Sequence, residues 1–491
     1  MGSRPIAPLG PARAASEGRR FLATPARRPW RGRTLLLGAP IAALLGALVV
    51  CQARSLDAAE SSPACRVATF RCELTPPVGG QPLIWLDRPE TIEDALWAKG
   101  IVLEYDGRRC ALVAIDWCGL CNSSHDLFRD RLAAAIDTTA DRVAVHTVHQ
   151  HTAPYVDGDA QRLMDAFHGL PLYVDEAFVR DCADRVAAAA KESLGKFEPV
   201  DRVGTGEAAV ECVASSRRVR DARGRVVVRY SNGGRDPKMR DLPEGTIDPL
   251  LRTVTLARGQ QNLVRLHFYA THPQSFYGDR RVSADVPGLA RRRLEEEEDV
   301  FQVYFTGCAG DVTFGKYNDG SREARAQLAD RLYRGMKAAA ANTRWAPADR
   351  FAWCAREVTF PARNDPGHTA EELRAVLADE AATPLSRVLA AVRLSYFDRQ
   401  QRPFRVHGLR IGPAVVVHLP GESLLEFQRY AISLAGDRFV AVAAYGDLGS
   451  GYICPKAAFE EGGYEPSASH VAPDSEDRLK EAIRAVLDDL Q

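Results

Sequence analysis

The chain has 491 residues, of which 46% are hydrophobic and 26% are charged, so it is long enough and apolar enough to bury a large core. Its 64 basic and 64 acidic residues give a formal net charge of zero. No global electrostatic field is therefore available to recruit nucleic acid or an anionic membrane surface, and the charge predicts neither partner.

The first fifty residues form a leader that is first basic and then apolar. Its clustered arginines are Arg19, Arg20, Arg27, Arg28, Arg31 and Arg33, and an apolar stretch follows at 35–50. This order is typical of a signal peptide or a short membrane anchor. We therefore predict that residues 1–59 direct export and that residues 60–491 form one extracytoplasmic domain, periplasmic or secreted. Cleavage after Ala53, retention of 35–50 as an anchor and lipid attachment at Cys51 are the alternatives for processing.

Strand and helix patterns alternate from residue 65 onward, which indicates an α/β fold with mixed sheets covered by helices. The predicted strands span 110–117, 142–147, 263–270, 301–306, 405–411 and 414–419. The predicted helices span 124–136, 174–194, 287–297, 323–341, 370–380 and 475–490, with one more starting at Glu422. A polar, turn-rich stretch lies at 215–244. The chain shows no repeat and no long linker, so a single catalytic unit is expected.

The cysteines do not form a dense framework of regular spacing. There are eleven in the chain, and Cys118 and Cys121 have the spacing of a redox or zinc motif. No second such pair exists, and the strand before Cys118 has no thioredoxin-like context. Buried or locally paired cysteines are therefore favoured, and the sequence does not determine a disulfide pairing.

Two histidines follow the predicted strand 142–147. In an extended segment, residues two apart point to the same side, so the imidazoles of His149 and His151 are expected to face together. The next residues, Thr152-Ala153-Pro154, turn the chain away and leave the pair at the rim of a sheet, where open α/β sheets place ligand sites. The pair can share a metal ion, although paired histidines on strands are often only structural.

A third histidine and a carboxylate end two other predicted strands. Strand 263–270 runs into Thr271-His272-Pro273, and strand 414–419 runs into Pro420-Gly421-Glu422. Glu422 either faces a site or provides a charge at a helix N-terminus. His267 lies within its strand and is predicted to belong to the core. Two histidines, one carboxylate and an open position are typical of a catalytic zinc site, whose chemistry is hydrolysis.

These segments together resemble the N-terminal catalytic domain of the neutral ceramidases. The similar segments are His149-Gln150-His151-Thr152-Ala153-Pro154, Ala270-Thr271-His272-Pro273, Ser283-Ala284-Asp285-Val286-Pro287-Gly288, Gly310-Asp311-Val312-Thr313 and Leu419-Pro420-Gly421-Glu422. They occur in the family order across about residues 65 to 490. Tyr452 and Tyr464, with Ser467-Ala468-Ser469, resemble the closing segment of the family.

The resemblance implies roles for particular residues. The implied Zn²⁺ ligands are His149, His272, Glu422 and Tyr452, and the implied catalytic residues are His151, Thr313, Tyr464 and Arg217. His151 and Tyr464 would stabilise the tetrahedral oxyanion, His151 could also handle a proton, Thr313 would assist the attack, and Arg217 would contact the substrate. Arg217 also fits a solvated basic run with Arg218 and Arg220.

The chain departs from the family pattern at three places. Thr313 stands where ceramidases have serine, and its added methyl group narrows the expected pocket. Phe314 replaces a proline, and Cys308 and Ala309 replace polar residues. A C-terminal immunoglobulin-like domain is not expected, because helix 475–490 is the last predicted element of the chain.

Three functions are compatible with this pattern. The first is a zinc-dependent amidohydrolase of the ceramidase type, which cleaves a lipid or small-molecule N-acyl amide with zinc-bound water. The second is an esterase or a carbohydrate-directed hydrolase of the same fold. The third is an extracytoplasmic metal-binding protein without catalysis, which a metal already saturated by protein ligands would favour. The sequence does not determine the oligomeric state.

Overall fold

A computed structural model describes residues 65–491, and all of them belong to one compact unit. They form three main sheets and twelve α-helices, which confirms the predicted α/β class with mixed sheets and covering helices. The predicted leader, its apolar stretch at 35–50 and Cys51 lie outside the described residues, so the division at residue 59 stays a prediction. In the part of the chain that the structure describes, no helix is long and apolar enough to cross a membrane.

The three main sheets are built in the same way, as antiparallel strands with one parallel pair at an edge. The first sheet contains, in spatial order, Val143–Thr147, Arg108–Ile115, Trp97–Tyr105, Cys65–Glu73 and Glu198–Val200. The second contains Phe301–Thr306, Gln261–Tyr269, Leu250–Arg258, Arg202–Ala209 and Arg344–Pro347. The third contains Phe351–Val358, Phe404–Ile411, Ala414–His418 and Phe439–Ala443.

Helices cover the sheets, and short strand pairs connect the loops. The helices are Asn122–Ala135, Gly158–Met164, Glu176–Ser193, Pro237–Arg240, Asp285–Glu298, Arg322–Ala341, Ala370–Ala378, Pro384–Arg399, Leu425–Ser433, Lys456–Glu461, Tyr464–Ala468 and Ser475–Asp489. The paired short strands are Gly119–Leu120 with Tyr155–Val156, Ser215–Ser216 with Val312–Thr313, Arg218–Arg220 with Val226–Val228, Thr91–Ile92 with Arg281–Val282, and Glu422–Ser423 with Tyr452–Ile453.

The parallel pairs of the three sheets end at one place. Each pair is joined by a crossover helix, as parallel strands require. The pairs end at Ile115 and Thr147, at Tyr269 and Thr306, and at His418 and Ala443. Backbone hydrogen bonds of 2.9 Å join the three ends, from the Thr147 N–H to the Tyr445 carbonyl and from the Ala444 N–H to the Thr306 carbonyl. The loops after these strands therefore surround one point of the molecule.

Most predicted elements are confirmed within a few residues. Strand 301–306 and the hairpin at 405–419 are present, and Gly412 in the tight turn of this hairpin has φ +53°, a conformation that favours glycine. The predicted start of the helix at Glu422 is wrong. Glu422–Ser423 is a short strand paired in register with Tyr452–Ile453, and the helix starts at Leu425.

Sequence patterns missed several elements. Strand Phe351–Val358 and helix Pro384–Arg399 lie in a segment where no clear periodicity is visible. The strand is half-buried along most of its length, and the helix has buried residues on more than one side, so neither shows the simple alternation of an element with one apolar face.

Candidate active site

Two imidazoles and a carboxylate meet at the point where the three parallel pairs end. His149 Nε2 lies 3.0 Å from His272 Nε2 and 3.2 Å from Glu422 Oε2, and His272 Nε2 lies 3.9 Å from the same oxygen. All three side chains are buried. The sequence-predicted residues His149, His272 and Glu422 are thus close enough to share one ion, although they are distant in sequence.

The other ring nitrogen of each imidazole faces a backbone carbonyl. His149 Nδ1 lies 2.5 Å from the Cys118 carbonyl oxygen, and His272 Nδ1 lies 3.3 Å from that of Ala309. A carbonyl only accepts hydrogen bonds, so Nδ1 carries a proton in both rings, and each Nε2 presents a lone pair when its ring is neutral. Glu422 Oε2 is buried without a hydrogen-bond donor among the described residues. Three electron-pair donors therefore converge on one small volume.

The backbone at His149 differs from the prediction. The strand ends at Thr147, and His149 has φ +72°, which is uncommon for a residue other than glycine. The expected extended alternation of His149 and His151 is therefore wrong. A left-handed turn, rather than strand periodicity, brings their rings to 5.1 Å apart at nearly right angles.

Glu422 is available to the site because another acid caps the neighbouring helix. Asp311 Oδ1 accepts the Leu425 N–H at 2.8 Å at the start of helix Leu425–Ser433. The parallel strand register places Glu422 beside Tyr452. Burial would raise the pKa of Glu422, but His149, Tyr452 and Arg217 outweigh it and hold this pKa below its ordinary value. The alternative of a helix N-terminal charge is therefore not favoured for Glu422.

Arg217 is a buried residue of the site rather than part of a solvated run. Its exposed fraction is 3%, and its Nη1 donates to the Tyr452 hydroxyl at 3.0 Å. The guanidinium also lies over the rings of Tyr452 and Tyr464 and near Glu465. Burial opposes the charge of Arg217, but Tyr452 and Glu465 outweigh this effect and raise its pKa, so the arginine stays protonated.

The two tyrosines predicted from the resemblance lie side by side. Their ring centroids are 5.7 Å apart, and both rings line the cavities of the site. Burial raises the pKa of Tyr464 to about 12 and raises that of Tyr452 well above its usual range. Both phenols are therefore protonated at neutral pH in the protein alone.

Thr313 is connected to His151 by a chain of hydrogen bonds. The Thr313 hydroxyl donates to Ser231 Oγ at 3.0 Å, the Ser231 hydroxyl donates to Gln274 Oε1, and Gln274 Nε2 lies 3.1 Å from His151 Nδ1. Because Ser231 occupies the oxygen of the Gln274 amide, the amide NH₂ faces the imidazole. His151 Nδ1 is then the acceptor and Nε2 carries the proton. Thr313 itself is fully buried and is not among the residues that line the two cavities of the site.

Sequence reasoning missed Gln274, Ser231 and Tyr445. The Tyr445 ring stacks on His149 at 4.4 Å between centroids, and its hydroxyl lies 3.3 Å from His272 Nδ1. Tyr445 also has φ +64° and directly follows the strand Phe439–Ala443 and Ala444. A polar or aromatic residue just after a buried strand was the available signal, and it is the same signal that identified His272.

A second group of possible ligands overlaps the first. Cys118, His149 and His151 each offer a ligand atom within 4.8 Å of the others. His149 Nδ1 already faces the Cys118 carbonyl, and burial raises the pKa of the Cys118 thiol well above its usual range. The thiol is therefore a poorer ligand than the Glu422 carboxylate. None of the ten described cysteines forms a disulfide, and Cys118 and Cys121 are both buried.

Two cavities open on the site from different sides. The cavity on the His272 side has a volume of about 520 Å³, and the cavity on the His149 and Glu422 side has a volume of about 600 Å³. His151, Tyr452 and Tyr464 line both, together with Trp85 and Tyr277. A molecule bound across them would pass the three converging donors.

His267 is confirmed as a core residue. It is fully buried, with Nδ1 2.9 Å from Thr253 Oγ1 and Nε2 2.7 Å from Gln302 Oε1. Both ring nitrogens are satisfied within the second sheet, so this histidine has no free lone pair for a ligand.

Comparison with known proteins finds similarity at the level of structure. No protein-family model and no curated protein sequence matches this chain. The crystal structure of neutral ceramidase from Pseudomonas aeruginosa matches with a TM-score of 0.64 and 14% identity, over 87% of this chain and 75% of that chain. A ceramidase complexed with C2 matches with a TM-score of 0.66 and 14% identity, over 87% of this chain and 75% of that chain. The resemblance predicted from the motifs is therefore confirmed for the fold: this chain folds like the neutral ceramidases.

Proposed function

We propose that this protein is an exported, zinc-dependent amidohydrolase that cleaves an N-acyl amide of the ceramide type. The observation that carries the proposal is the convergence of the His149 and His272 lone pairs and the Glu422 carboxylate beside two cavities. The shared fold supports the same class of reaction. The Arg-rich leader and the apolar stretch at 35–50 support export.

The chemistry of the donor set fits zinc. Ligand atoms about 2.0–2.1 Å from a tetrahedral zinc ion lie roughly 3.3 Å from each other. The three separations here are 3.0, 3.2 and 3.9 Å. Zinc-bound histidines commonly donate their second N–H to a carbonyl, as His149 and His272 do. Tyr452, next to Glu422 in the strand register, would be a fourth protein ligand, and the two adjoining cavities leave space for water or substrate at a further position.

The residues around this set would support hydrolysis. When bound, zinc supplies Lewis acidity toward a carbonyl oxygen and toward water. His151 would donate a hydrogen bond from its Nε2–H to the oxygen on which negative charge develops, because Gln274 holds the ring in that tautomer. Tyr464 keeps its proton at neutral pH and would donate a second hydrogen bond from the cavity wall. Arg217 would orient the Tyr452 phenol and stabilise the negative charge.

The proposed reaction consumes one water molecule for each amide. A C–O bond forms at the carbonyl carbon and the C–N bond breaks. The acyl group leaves as a carboxylate, and the nitrogen takes up both protons of the water and leaves as an ammonium group. The cavity on the His149 side is lined by aliphatic side chains that would hold the acyl chain, namely Ile84, Leu86, Leu385, Val388, Leu389 and Val392.

The proposal is tested by measuring metal content and turnover together on the full chain. We expect about one zinc ion per chain, as in other catalytic zinc sites, and hydrolysis of a dodecanoyl amide that stops after chelation and returns with zinc. A dodecanoyl ester and an N-acyl sugar are assayed in parallel. Faster cleavage of either would favour the esterase or carbohydrate-directed alternative, and bound zinc with no turnover of any substrate would favour a metal-binding protein.

A further inference from the structure

The two cavities that meet at the zinc ligands differ in polarity. Six aliphatic side chains line the cavity on the His149 side, together with the charged residues Asp87, Arg393 and Glu422. The cavity on the His272 side has no aliphatic side chain in its lining and is walled by aromatic, hydroxyl, amide and charged groups, including Ser231, Asn232, Arg235, Gln274, Ser275 and Asn318. The substrate that fills both must therefore have an apolar part on one side of the scissile bond and a polar part on the other.

The charges that line the polar cavity do not balance. Arg217 faces Glu465, with 3.7 Å between Nε and Oε1, and Asp279 pairs with Arg281 at 2.6 Å. Arg235 is exposed, and its Nε donates to the Asp319 backbone carbonyl at 3.2 Å. Among residues 65–491, no carboxylate lies within ion-pair distance of Arg235. Arg218 also pairs with Glu465, at 3.0 Å. Among the arginines that line this cavity, Arg235 is therefore the one without a carboxylate within ion-pair distance.

The acid nearest in sequence to this contact forms no direct ion pair with Arg235, although Ser321 and, to a smaller extent, the charge of Arg235 lower the pKa of Asp319. The Asp319 carboxylate accepts the Ser321 N–H at 2.8 Å, just before helix Arg322–Ala341. Asn318 holds the wall in place, because its amide donates to the carbonyls of Ser231 at 2.8 Å and of Ser275 at 3.1 Å. The guanidinium of Arg235 therefore keeps free N–H donors at the mouth of a structured polar cavity.

We infer that the amine part of the substrate carries a carboxylate that binds Arg235, so that the preferred substrates are N-acyl amino acids. This inference rests on the proposed amidohydrolase function and specifies its substrate class. The acyl chain occupies the aliphatic cavity and the amide lies at the zinc ligands. The carboxylate lies in the other cavity, which Arg235 lines. Hydrolysis then releases a fatty acid and a free amino acid.

The experiment compares two substrates of equal length that differ in the head group. N-dodecanoylglycine carries a carboxylate, and N-dodecanoylethanolamine carries a neutral hydroxyl in its place. We expect kcat/KM to favour the glycine conjugate by about tenfold, which corresponds to one charge-assisted hydrogen bond. In Arg235→Gln this ratio should fall to about one, and Arg235→Lys should restore part of it. Arg223→Gln, in an exposed turn outside both cavities, is the matched control and should keep the wild-type ratio.

A binding measurement separates failure of this inference from failure of the proposed function. The sulfonamide analogues N-(dodecylsulfonyl)glycine and N-(dodecylsulfonyl)ethanolamine are not hydrolysed, and their affinities are measured by calorimetry. Preference for the anionic analogue that is lost in Arg235→Gln supports the head-group site even if no amide is cleaved. Equal affinity for the two analogues, or equal turnover of the two amides, overturns the inference and leaves the amidohydrolase proposal standing.

Discussion

Two clusters of buried histidines lie within residues 65–491, and only one of them has the geometry of a metal site. His149 Nε2 and the Nε2 atom of the half-buried His151 each lie 3.0 Å from His272 Nε2, beside an unsatisfied carboxylate oxygen. His125, His146, His407 and His418 surround a cavity of only about 20 Å³ between the sheets. The number of histidines is therefore not what distinguishes a site, because the second cluster has more of them.

The second cluster differs from the first in both convergence and charge. Its rings at His146 and His418 are 5.7 Å apart, and the described residues give no group of three ligand atoms within 4.8 Å there. The acid facing its cavity, Asp447, is paired with Arg399, and Arg129 and Arg405 add positive charge. A cation is disfavoured in such surroundings. Lone pairs aimed at one point, with a negative charge beside them, therefore distinguish the candidate zinc site from the second cluster.

Replacing one histidine in each cluster should give the largest difference in zinc content and in activity between two variants. We predict that His272→Leu loses the bound zinc and at least about a thousandfold in kcat/KM, because the incomplete ligand set no longer holds the Lewis acid. His418→Leu should keep the wild-type zinc content, since neither nitrogen of His418 has a hydrogen-bond partner in the part of the chain that the structure describes. Metal content by mass spectrometry and amide turnover check the pair. Equal zinc loss in both variants would contradict the distinction.

The carboxylate is the second difference between the clusters, and Glu422→Gln removes its charge while keeping its shape. We predict a loss of zinc affinity of about a hundredfold or more, because an amide oxygen is a weaker ligand than a carboxylate. Glu426→Gln is the matched control, because Glu426 is half-exposed on the next helix and its contact is a surface ion pair with Lys480 at 3.5 Å. Competition with a fluorescent zinc chelator measures both affinities. An unchanged affinity in Glu422→Gln would remove this residue from the ligand set.

Lowering the pH should destabilise the folded protein through the buried histidines of the second cluster. Burial lowers the pKa of His146 to about 4 and that of His407 to about 3. In the unfolded chain these groups titrate near 6.5, so below that pH the unfolded state takes up protons that the folded state does not. The free energy of unfolding should therefore fall as the pH drops from about 6.5 toward 4.

His407→Gln removes one of these titrations. We predict that its free energy of unfolding falls less steeply than that of the wild type below pH 6.5, by up to about 1.4 kcal/mol per pH unit. Urea unfolding of both proteins between pH 7 and pH 4.5 measures the two slopes. Parallel slopes would mean that His407 is protonated in the folded protein.

The smallest effect is expected at Thr313, which acts on the first cluster through Ser231 and Gln274. Thr313→Val keeps the volume and removes the hydroxyl, so we predict a loss of about three- to tenfold in kcat and a shifted pH–rate profile. Thr313→Ser keeps the hydroxyl and should retain most of the activity. Nitrogen-15 shifts of His151 report its tautomer directly. A His151 tautomer that is the same in Thr313→Val would show that the chain of hydrogen bonds does not set it.

Sequence patterns predicted much of the fold because many elements have one buried face. Strand Phe301–Thr306 was identified by its continuous run of apolar residues, and helix Arg322–Ala341 by apolar residues at helical spacing. The short strands at Glu422–Ser423 and Ser215–Ser216 were not, since a pair of two residues has no period to detect. Such strands form because distant partners lie beside them, and local propensity does not encode that contact.

Residue type and position along the chain were enough to select most candidate site residues. They identified His149, His151, His272 and Glu422 after predicted strands, and the resemblance added Tyr452, Tyr464, Arg217 and Thr313. Other features became visible in the folded chain alone: Asp311 rather than Glu422 caps the helix, Arg217 is buried, and Thr313 is linked to His151 through two other side chains. The difference arises because residue type and spacing record interactions between near neighbours in the sequence. Protonation, charge balance and coordination depend on groups that the fold brings together from distant parts of the chain.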